Sequence, residues 1–314
     1  MQPASTVRMA VLALLWGSGF LWIKLALNHG LSPAQITITR CALGTLVLVA
    51  LARGAGQRLP RDRATWGRLA VAALFCNAVP FALFSVGEQT VDSGVAGVLN
   101  ATTPLWSLLI GIALGTDRGL SRTRLTGLLL GFAGTLLIFA PWHRSGLLTW
   151  GALALLGAAA SYAVAFAYMA RKLTAGQAPL ATSAAQLMAA TAWTTLALPA
   201  AGPAHPDLTA LLAVTALGGL GTGVTFYLNY RLITDEGATS AATVGYLLPV
   251  VSVTLGAALL DERVGLRVMA GMAVVLAGVA LTRPRSAKAS FRGAGNCAPS
   301  PHRRSAKKQP SQAP

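Results

Sequence analysis

Apolar stretches of about 20 residues, the length a helix needs to cross a bilayer core, recur along most of the chain, separated by short polar joints. They predict ten membrane spans, at 7–27, 33–52, 66–86, 93–114, 121–140, 149–169, 180–200, 208–230, 239–260 and 265–282. The fourth and seventh are the least apolar. At the second, Ser32 can cap the helix, Pro33 suits its first turn and Gln35 completes a capping box. The first run passes 20 residues, contains Lys24 and meets no small-residue cleavage site, so it reads as a retained helix rather than a signal peptide. The longest joint before the tail, 53–65, is too short to hold a soluble catalytic domain.

Composition points the same way. The chain is 54% hydrophobic and 11% charged, where soluble domains run near a quarter charged. Many of its 33 glycines lie within apolar runs, which membrane helices tolerate better than soluble ones. The net charge of +16 would suggest nucleic acid if read alone, but its placement suggests topology and no nucleic-acid partner. With an even number of spans both termini share one side. That side holds Arg8, the Arg53–Arg68 group, Arg118, Arg122, Arg124, Arg171, Lys172, Arg231 and the basic tail; the other holds Arg144, Arg263 and Arg267. The positive-inside rule then places both termini in the cytoplasm of a multi-pass cell-membrane protein. Residues 283–314, basic and without acids, read as a disordered tail, with attraction to anionic membrane lipid as the alternative to a plain solvated tail. The three cysteines form no disulfide framework or zinc spacing.

The two halves repeat. Ala96-Gly97-Val98-Leu99-Asn100-Ala101-Thr102-Thr103-Pro104-Leu105-Trp106-Ser107 aligns with Ala241-Ala242-Thr243-Val244-Gly245-Tyr246-Leu247-Leu248-Pro249-Val250-Val251-Ser252. The same register pairs Asp117-Arg118 with Glu262-Arg263; after a one-residue adjustment Gly127 pairs with Gly271, Ala133 with Ala277 and Gly134 with Gly278. Each half has five spans, so the second enters the membrane upside down. The expected fold is an all-α membrane protein with ten transmembrane helices, as two five-helix inverted repeats over 7–140 and 149–282. Inverted repeats are a recurrent plan of secondary transporters.

On these residues the chain resembles the drug/metabolite transporter superfamily, specifically its EamA-type members. The resemblance rests on Leu15-Trp16-Gly17-Ser18-Gly19-Phe20-Leu21-Trp22-Ile23-Lys24, on Thr39-Arg40, on the Pro-containing fourth and ninth spans, and on Leu260-Asp261-Glu262-Arg263 before a Gly-rich last span. Gly19 stands where an Asn is common in the family. The resemblance covers residues 7–282 and implies a ten-helix exporter or importer of metabolites, without naming the solute.

Candidate site residues follow from the interruptions. Pro104 and Pro249 fall near the centres of their spans, where a proline frees carbonyls that protein or cavity water must meet. Matched interruptions in two halves point to a transporter's binding site. Asn100, Thr102, Thr103 and Ser107 surround the first proline, Tyr246 and Ser252 the second. The first span carries Trp16-Gly17-Ser18-Gly19, whose glycines permit close packing or local unwinding, and Trp16 corresponds to Tyr162 in the sixth span. The predicted solute-binding set is Trp16, Ser18, Asn100, Thr103, Pro104, Tyr162, Tyr246 and Pro249; packing alone explains prolines and glycines as well.

Lys24, Arg40 and Glu88 form a separate group of structural or gating charges. Lys24, near its helix end, can snorkel to the interface. Arg40 lies roughly 10 Å inside its helix and needs a partner: a substrate carboxylate, backbone carbonyls or Glu88, with structural pairing preferred. No acid lies deep in a span and no His lies in any, which argues for exchange or facilitated movement rather than coupling through a deep carboxylate, Glu88 at its edge being the exception. Gly127-xxx-Gly131 with Gly134, and Ala273-xxx-Ala277, are small-residue faces for packing the fifth span on the tenth, or for a homodimer.

Rival functions lack residues. Gly17-Ser18-Gly19 resembles an exposed nucleophile, but His29, His143, His205 and His302 all lie in loops or the tail, so no base reaches it. There is no HExxH, carboxylate cluster or P-loop, and no metal or cofactor is expected. A pore needs a filter of carbonyls or rings of charge. The expected partner is a small-molecule solute, moved by a carrier.

Overall fold

Helix formation dominates because lipid offers no partner to a backbone N–H or C=O, so each segment must satisfy its own. The computed structural model describes residues 3–113, 122–139, 149–173, 178–236, 243–259 and 265–282, and every regular element among them is helical. The expected tail, 283–314, and the paired Asp117-Arg118 and Glu262-Arg263 lie outside the described residues.

The first half contains α1 (Pro3–Gly17), α2 (Gly19–Asn28), α3 (Pro33–Gly54), α4 (Arg63–Ala73), α5 (Val79–Gly87), α6 (Ser93–Asn100), α7 (Thr103–Ala113) and α8 (Arg122–Phe139). The second contains α9 (Trp150–Lys172), α10 (Pro179–Thr195), α11 (Leu208–Gly218), α12 (Thr225–Glu236), α13 (Leu248–Leu259) and α14 (Leu266–Thr282). Among the described residues, five helical stretches are long and apolar enough to cross a membrane: Thr6–Asn28, Pro33–Gly54, Arg63–Gly87, Trp150–Met169 and Leu208–Leu232. Leu125–Leu137 and Leu266–Gly278 are shorter apolar helices. The predicted fourth and ninth spans carry interruptions, each described as two short pieces.

Helix starts obey local chemistry. Ser32 accepts from Gln35 N while the Gln35 side chain accepts from Ser32 N, the predicted capping box. Asp62 caps α4 through Thr65 N and Asp207 caps α11 through Ala210 N. Pro33 and Pro179 each occupy the first turn of their helix, where the missing N–H would be unpaired anyway.

One core gathers Phe20, Ile23, Phe84, Leu155, Leu217 and Leu248; another gathers Cys41, Leu48, Phe81, Leu187 and Phe226. Both draw on the two halves. Leu46, Leu129, Leu212 and Leu220 remain exposed, the apolar outer surface that lipid would cover.

The fifth and tenth predicted spans pack on each other as α8 and α14. A Cβ at Gly134 would lie 2.6 Å from Val275 N and 2.7 Å from Gly271 O; one at Gly278 would lie 2.5 Å from Gly131 N and 2.7 Å from Gly127 O. These are the glycines the internal repeat aligns. The helices run antiparallel, and exchanging the two halves maps one set of contacts onto the other. On the fifth span the expected face, Gly127, Gly131 and Gly134, is the one used; on the tenth it is Gly271, Val275 and Gly278 rather than Ala273 and Ala277, which are exposed.

Candidate functional site

A helix that stops inside an apolar bundle leaves backbone groups unpaired, so each interruption shows where polar side chains are recruited. α6 ends at Asn100 and α7 begins at Thr103, with Ala101 and Thr102 between. Thr102 Oγ1 donates to Leu99 O at 2.7 Å and Thr103 Oγ1 donates to Asn100 O at 2.7 Å, so threonines meet the carbonyls freed at the end of α6. Pro104 is the second residue of α7. The helix is interrupted as expected, but the break falls just before the proline, which sits in a first turn that suits it. The ninth span does likewise, with a 3₁₀ turn at Thr243–Tyr246, then Leu247, then α13 with Pro249 second. Tyr246 and Pro249 are placed by their backbone.

The first span breaks at Ser18. Ser18 Oγ donates to Leu15 O at 3.1 Å and accepts from Trp22 Nε1 at 3.3 Å. Gly17 permits close approach, since a Cβ there would lie 2.6 Å from Val251 Cγ1. Trp16 and Tyr162, half-buried, pack against the same core. The Tyr162 ring stacks on Phe166 at 6.0 Å and tilts against Phe84 at 6.0 Å.

The third and eighth spans carry a second matched pair of irregularities that the sequence reading missed. Each passes through a π-helical turn, Leu74–Ala78 between α4 and α5 and Gly219–Val224 between α11 and α12. Such turns widen a helix locally and recur at functional sites. Asn77 lies in the first and Thr222 in the second, both fully buried. Gln186 Nε2 donates to Asn77 Oδ1 at 2.8 Å, and Arg40 Nε donates to Thr222 Oγ1 at 2.8 Å.

These two bonds are counterparts. The register that pairs Trp16 with Tyr162 also pairs Pro33 with Pro179, Arg40 with Gln186 and Thr45 with Thr191. Each bond thus runs from the second helix of one half to the π turn of the other. Thr45 and Thr191 hydrogen-bond to each other at 3.0 Å, as self-paired residues on a two-fold relation must. Tyr230 OH donates to Gln186 Oε1 at 2.7 Å, and Ser161 Oγ donates to Phe75 O at 2.7 Å. Asn77 Nδ2 has no hydrogen-bond partner.

Of the expected partners within the chain, Arg40 makes no ion pair with Glu88 and donates to no backbone carbonyl among the described residues. Its guanidinium carbon sits 3.6 Å from the centre of the Phe81 ring, a cation–π contact, and its Nε takes a hydroxyl. Lys24 does not snorkel: its Nζ donates to Glu88 O at 2.7 Å and Val91 O at 3.2 Å, capping the end of α5 as a C-terminal lysine can. Glu88, an edge residue by sequence, is fully buried with both carboxylate oxygens unpartnered. The fold thus brings Lys24 to Glu88, and Asn100 to Thr103 and Pro104. The signal for the missed residues was the amide side chains of Asn77 and Gln186 inside apolar spans, where polar groups are expensive. No group of three or more metal-ligating side chains occurs among the described residues.

A polar clasp ties the 29–35 segment to 201–207. His29 Nδ1 and Asp207 Oδ2 are 2.6 Å apart, Ser32 Oγ donates to Ala201 O at 2.8 Å, and Gln35 Nε2 donates to Gly202 O at 3.1 Å. The Ala210 backbone N–H and the His29 side chain hold the exposed Asp207 carboxyl below its ordinary value. A depressed carboxyl stabilises the fold above the unfolded-state value, about 3.9 for Asp, and loses that contribution as pH falls through the folded-state value. Asp207→Asn, which keeps a capping side chain, should melt below wild type at neutral pH and converge with it once pH falls below the depressed folded-state value. A constant melting difference at every pH would remove the charge from the clasp.

The sequence model of the EamA-like transporter family matches residues 6–140 and 149–283. An uncharacterized inner membrane transporter of Escherichia coli K12, YedA, is 28% identical over 256 residues, covering 80% of this chain and 81% of that one. An uncharacterized transporter of Bacillus subtilis 168, YvbV, is 26% identical over 306 residues, covering 91% and 93%. A Pseudomonas aeruginosa protein, PA1977, is 30% identical over 298 residues, covering 94% and 100%. A solved crystal structure shares the fold at a TM-score of 0.71 with 20% identity, over 90% of this chain and 99% of that one.

Proposed function

The chain belongs to the EamA-like transporter family, and from that premise we propose that it is a secondary transporter moving a small metabolite, amino acid or drug-like solute across the cell membrane by alternating access. Membrane transport is common ground with its relatives; the carrier mechanism and the site are this proposal's own. The observation that carries it is the pair of crossed bonds, Arg40 to Thr222 and Gln186 to Asn77. Each links a helix of one half to a widened turn of the other, so moving one half against the other must break or remake both. A carrier that exchanges two conformations needs such paired, interchangeable contacts.

The architecture proposed is ten spans in two inverted repeats. The antiparallel, reciprocal packing of α8 on α14 supports the inversion, because a two-fold that reverses a membrane-crossing helix must lie in the membrane plane. Both termini are assigned to the cytoplasm from the charge bias alone. Solute contact is assigned to the residues at and around the interruptions, Trp16, Ser18, Asn100, Thr103, Pro104, Tyr162, Tyr246 and Pro249. Such a set, mostly apolar with a few polar groups, suits an amphipathic solute. Lys24 and Arg40 act as structural charges.

The test is metabolite profiling of cells that lack or overproduce the protein, followed by counterflow of the responding compound in proteoliposomes. Flux should saturate, accelerate with compound on the far side, and fall at least tenfold in Arg40→Ala, on the order of the loss of one bond to a charged group. Flux that neither saturates nor shows counterflow would identify a pore. Wild-type yield with wild-type flux in Arg40→Ala would remove both roles from that residue.

A further inference from the structure

We propose that Glu88 is a proton-binding site which, through Lys24, sets the hold of the α5 terminus on α2, with the proton as the coupling ion of the transport reading above. Glu88 directly follows α5, its side chain is fully buried, and neither carboxylate oxygen has a hydrogen-bond donor. An ionised carboxylate in that setting bears the cost of desolvation with no hydrogen bond to offset it, only the charges of Lys24 and Arg40 at a distance. A proton removes the charge and most of that cost. The geometry fits a neutral carboxyl: Lys24, the cation beside Glu88, spends its donors on the carbonyls of Glu88 and Val91 rather than on the carboxyl.

The charged groups facing Glu88 are Lys24 on α2 and Arg40 on α3. Arg40 is committed to Thr222 and to the Phe81 ring. α9 presents Gly151 and Leu155 to the adjoining Gly87, neither of them titratable, and Asp92 beyond the turn is exposed. Among the described residues, Lys24, held by two backbone carbonyls of the adjoining turn, is therefore the cation placed to respond. A cavity of about 280 Å³, lined by Leu27, Asn28, Leu31, Ser32, Glu88 and Gln89 among others, adjoins this residue.

The step balances simply. The proton leaves a Glu88 carboxyl oxygen for water in the cavity. The carboxylate left behind draws the Lys24 ammonium, which keeps its own charge and protons. The carbonyls of Glu88 and Val91 then lose their donor, and the 88–91 turn is released from α2. Reprotonation restores the cap. The same turn adjoins the 28–33 segment, which belongs to the clasp with 201–207, so the switch acts where the two halves are tied together.

The test uses the full chain in lipid nanodiscs and needs no solute. Infrared difference spectra across a pH titration should contain the carbonyl band of a protonated, buried carboxyl in wild type and lack it in Glu88→Gln. A spin label at Gln89→Cys, in a Cys297→Ser background, should gain mobility as that band disappears. The label should stay insensitive to pH in Glu88→Gln and in Lys24→Gln, whose amide still caps carbonyls but carries no charge. Size-exclusion profiles matching wild type establish that the variants fold; Glu88→Asp, with its band displaced, serves if Glu88→Gln does not. An unchanged band in Glu88→Gln overturns the proton site, and a pH-responsive label in Lys24→Gln overturns the role of Lys24. Failure to find a transported compound would count against the transporter reading while leaving both results standing.

Discussion

Gly278→Ala should lower the melting temperature and the folded yield, although Gly to Ala within a helix ordinarily stabilises by about 1 kcal/mol. The added methyl would lie 2.5 Å from Gly131 N and 2.7 Å from Gly127 O on α8. Those are backbone atoms, so no rotamer change relieves the overlap and the helices must separate. Overpacking of this kind costs typically about 1–3 kcal/mol, and separation also forfeits the dispersion contacts along the seam. Gly134→Ala should behave alike, because the repeat places it in the equivalent contact with Gly271 and Val275. Leucine at either site should abolish a monodisperse product. Gly67→Ala is the control, since a Cβ there meets nothing within 4 Å, and it should be neutral or stabilising. Fluorescence-detected size exclusion and thermal melts in one detergent compare all of them. If Gly278→Ala melts with or above Gly67→Ala, the seam does not hold the halves together.

Gln186→Leu should be the most damaging change among the buried polar groups. Gln186 donates to Asn77 and accepts from Tyr230, and it is fully buried. Leucine strands Asn77 Oδ1 beside an Nδ2 that already lacks a partner. A buried polar group left unmatched costs about 1–3 kcal/mol. Asn77→Leu added to it removes the stranded group, and replacing both partners by apolar groups can be nearly neutral. The double variant should therefore melt above Gln186→Leu alone, with a coupling energy of about 0.5–3 kcal/mol. Transport should not return with stability, because the crossed bond is then missing on one side while Arg40 and Thr222 keep theirs. Additive losses would show that the two side chains act independently. A stable double variant with wild-type flux would place the pair outside the transport cycle.

The two predictions probe features of unequal visibility in the sequence. Gly134 and Gly278 were legible as aligned members of a repeat, since a residue that exists to admit another backbone survives alignment as a glycine. The all-helical, membrane-spanning character was read from apolar length, and the Ser32–Gln35 capping box was read from four consecutive residues; both depend on chain-local chemistry. Asn77, Gln186 and Thr222 were not singled out, because a polar residue within an apolar run reveals its cost without revealing its partner. The partners lie far off in sequence, and only packing of α3 and α10 against the π turns brings them within 2.8 Å.

Lys24, Arg40 and Glu88 mark the same boundary. Residue type and depth singled out all three and favoured structural pairing for Arg40, yet the pairings themselves differ: Lys24 caps α5, Arg40 takes Thr222 and the Phe81 ring, and Glu88 is left buried without a donor. By itself, the sequence determined an all-helical membrane chain in two related halves, because bilayer thickness, backbone satisfaction and helix capping act over a few neighbouring residues. Tertiary structure decided where the helices break, which polar groups cross between halves, and that an edge glutamate becomes a buried one. Those outcomes depend on which surfaces meet, and burial is a property of the neighbours rather than of the residue.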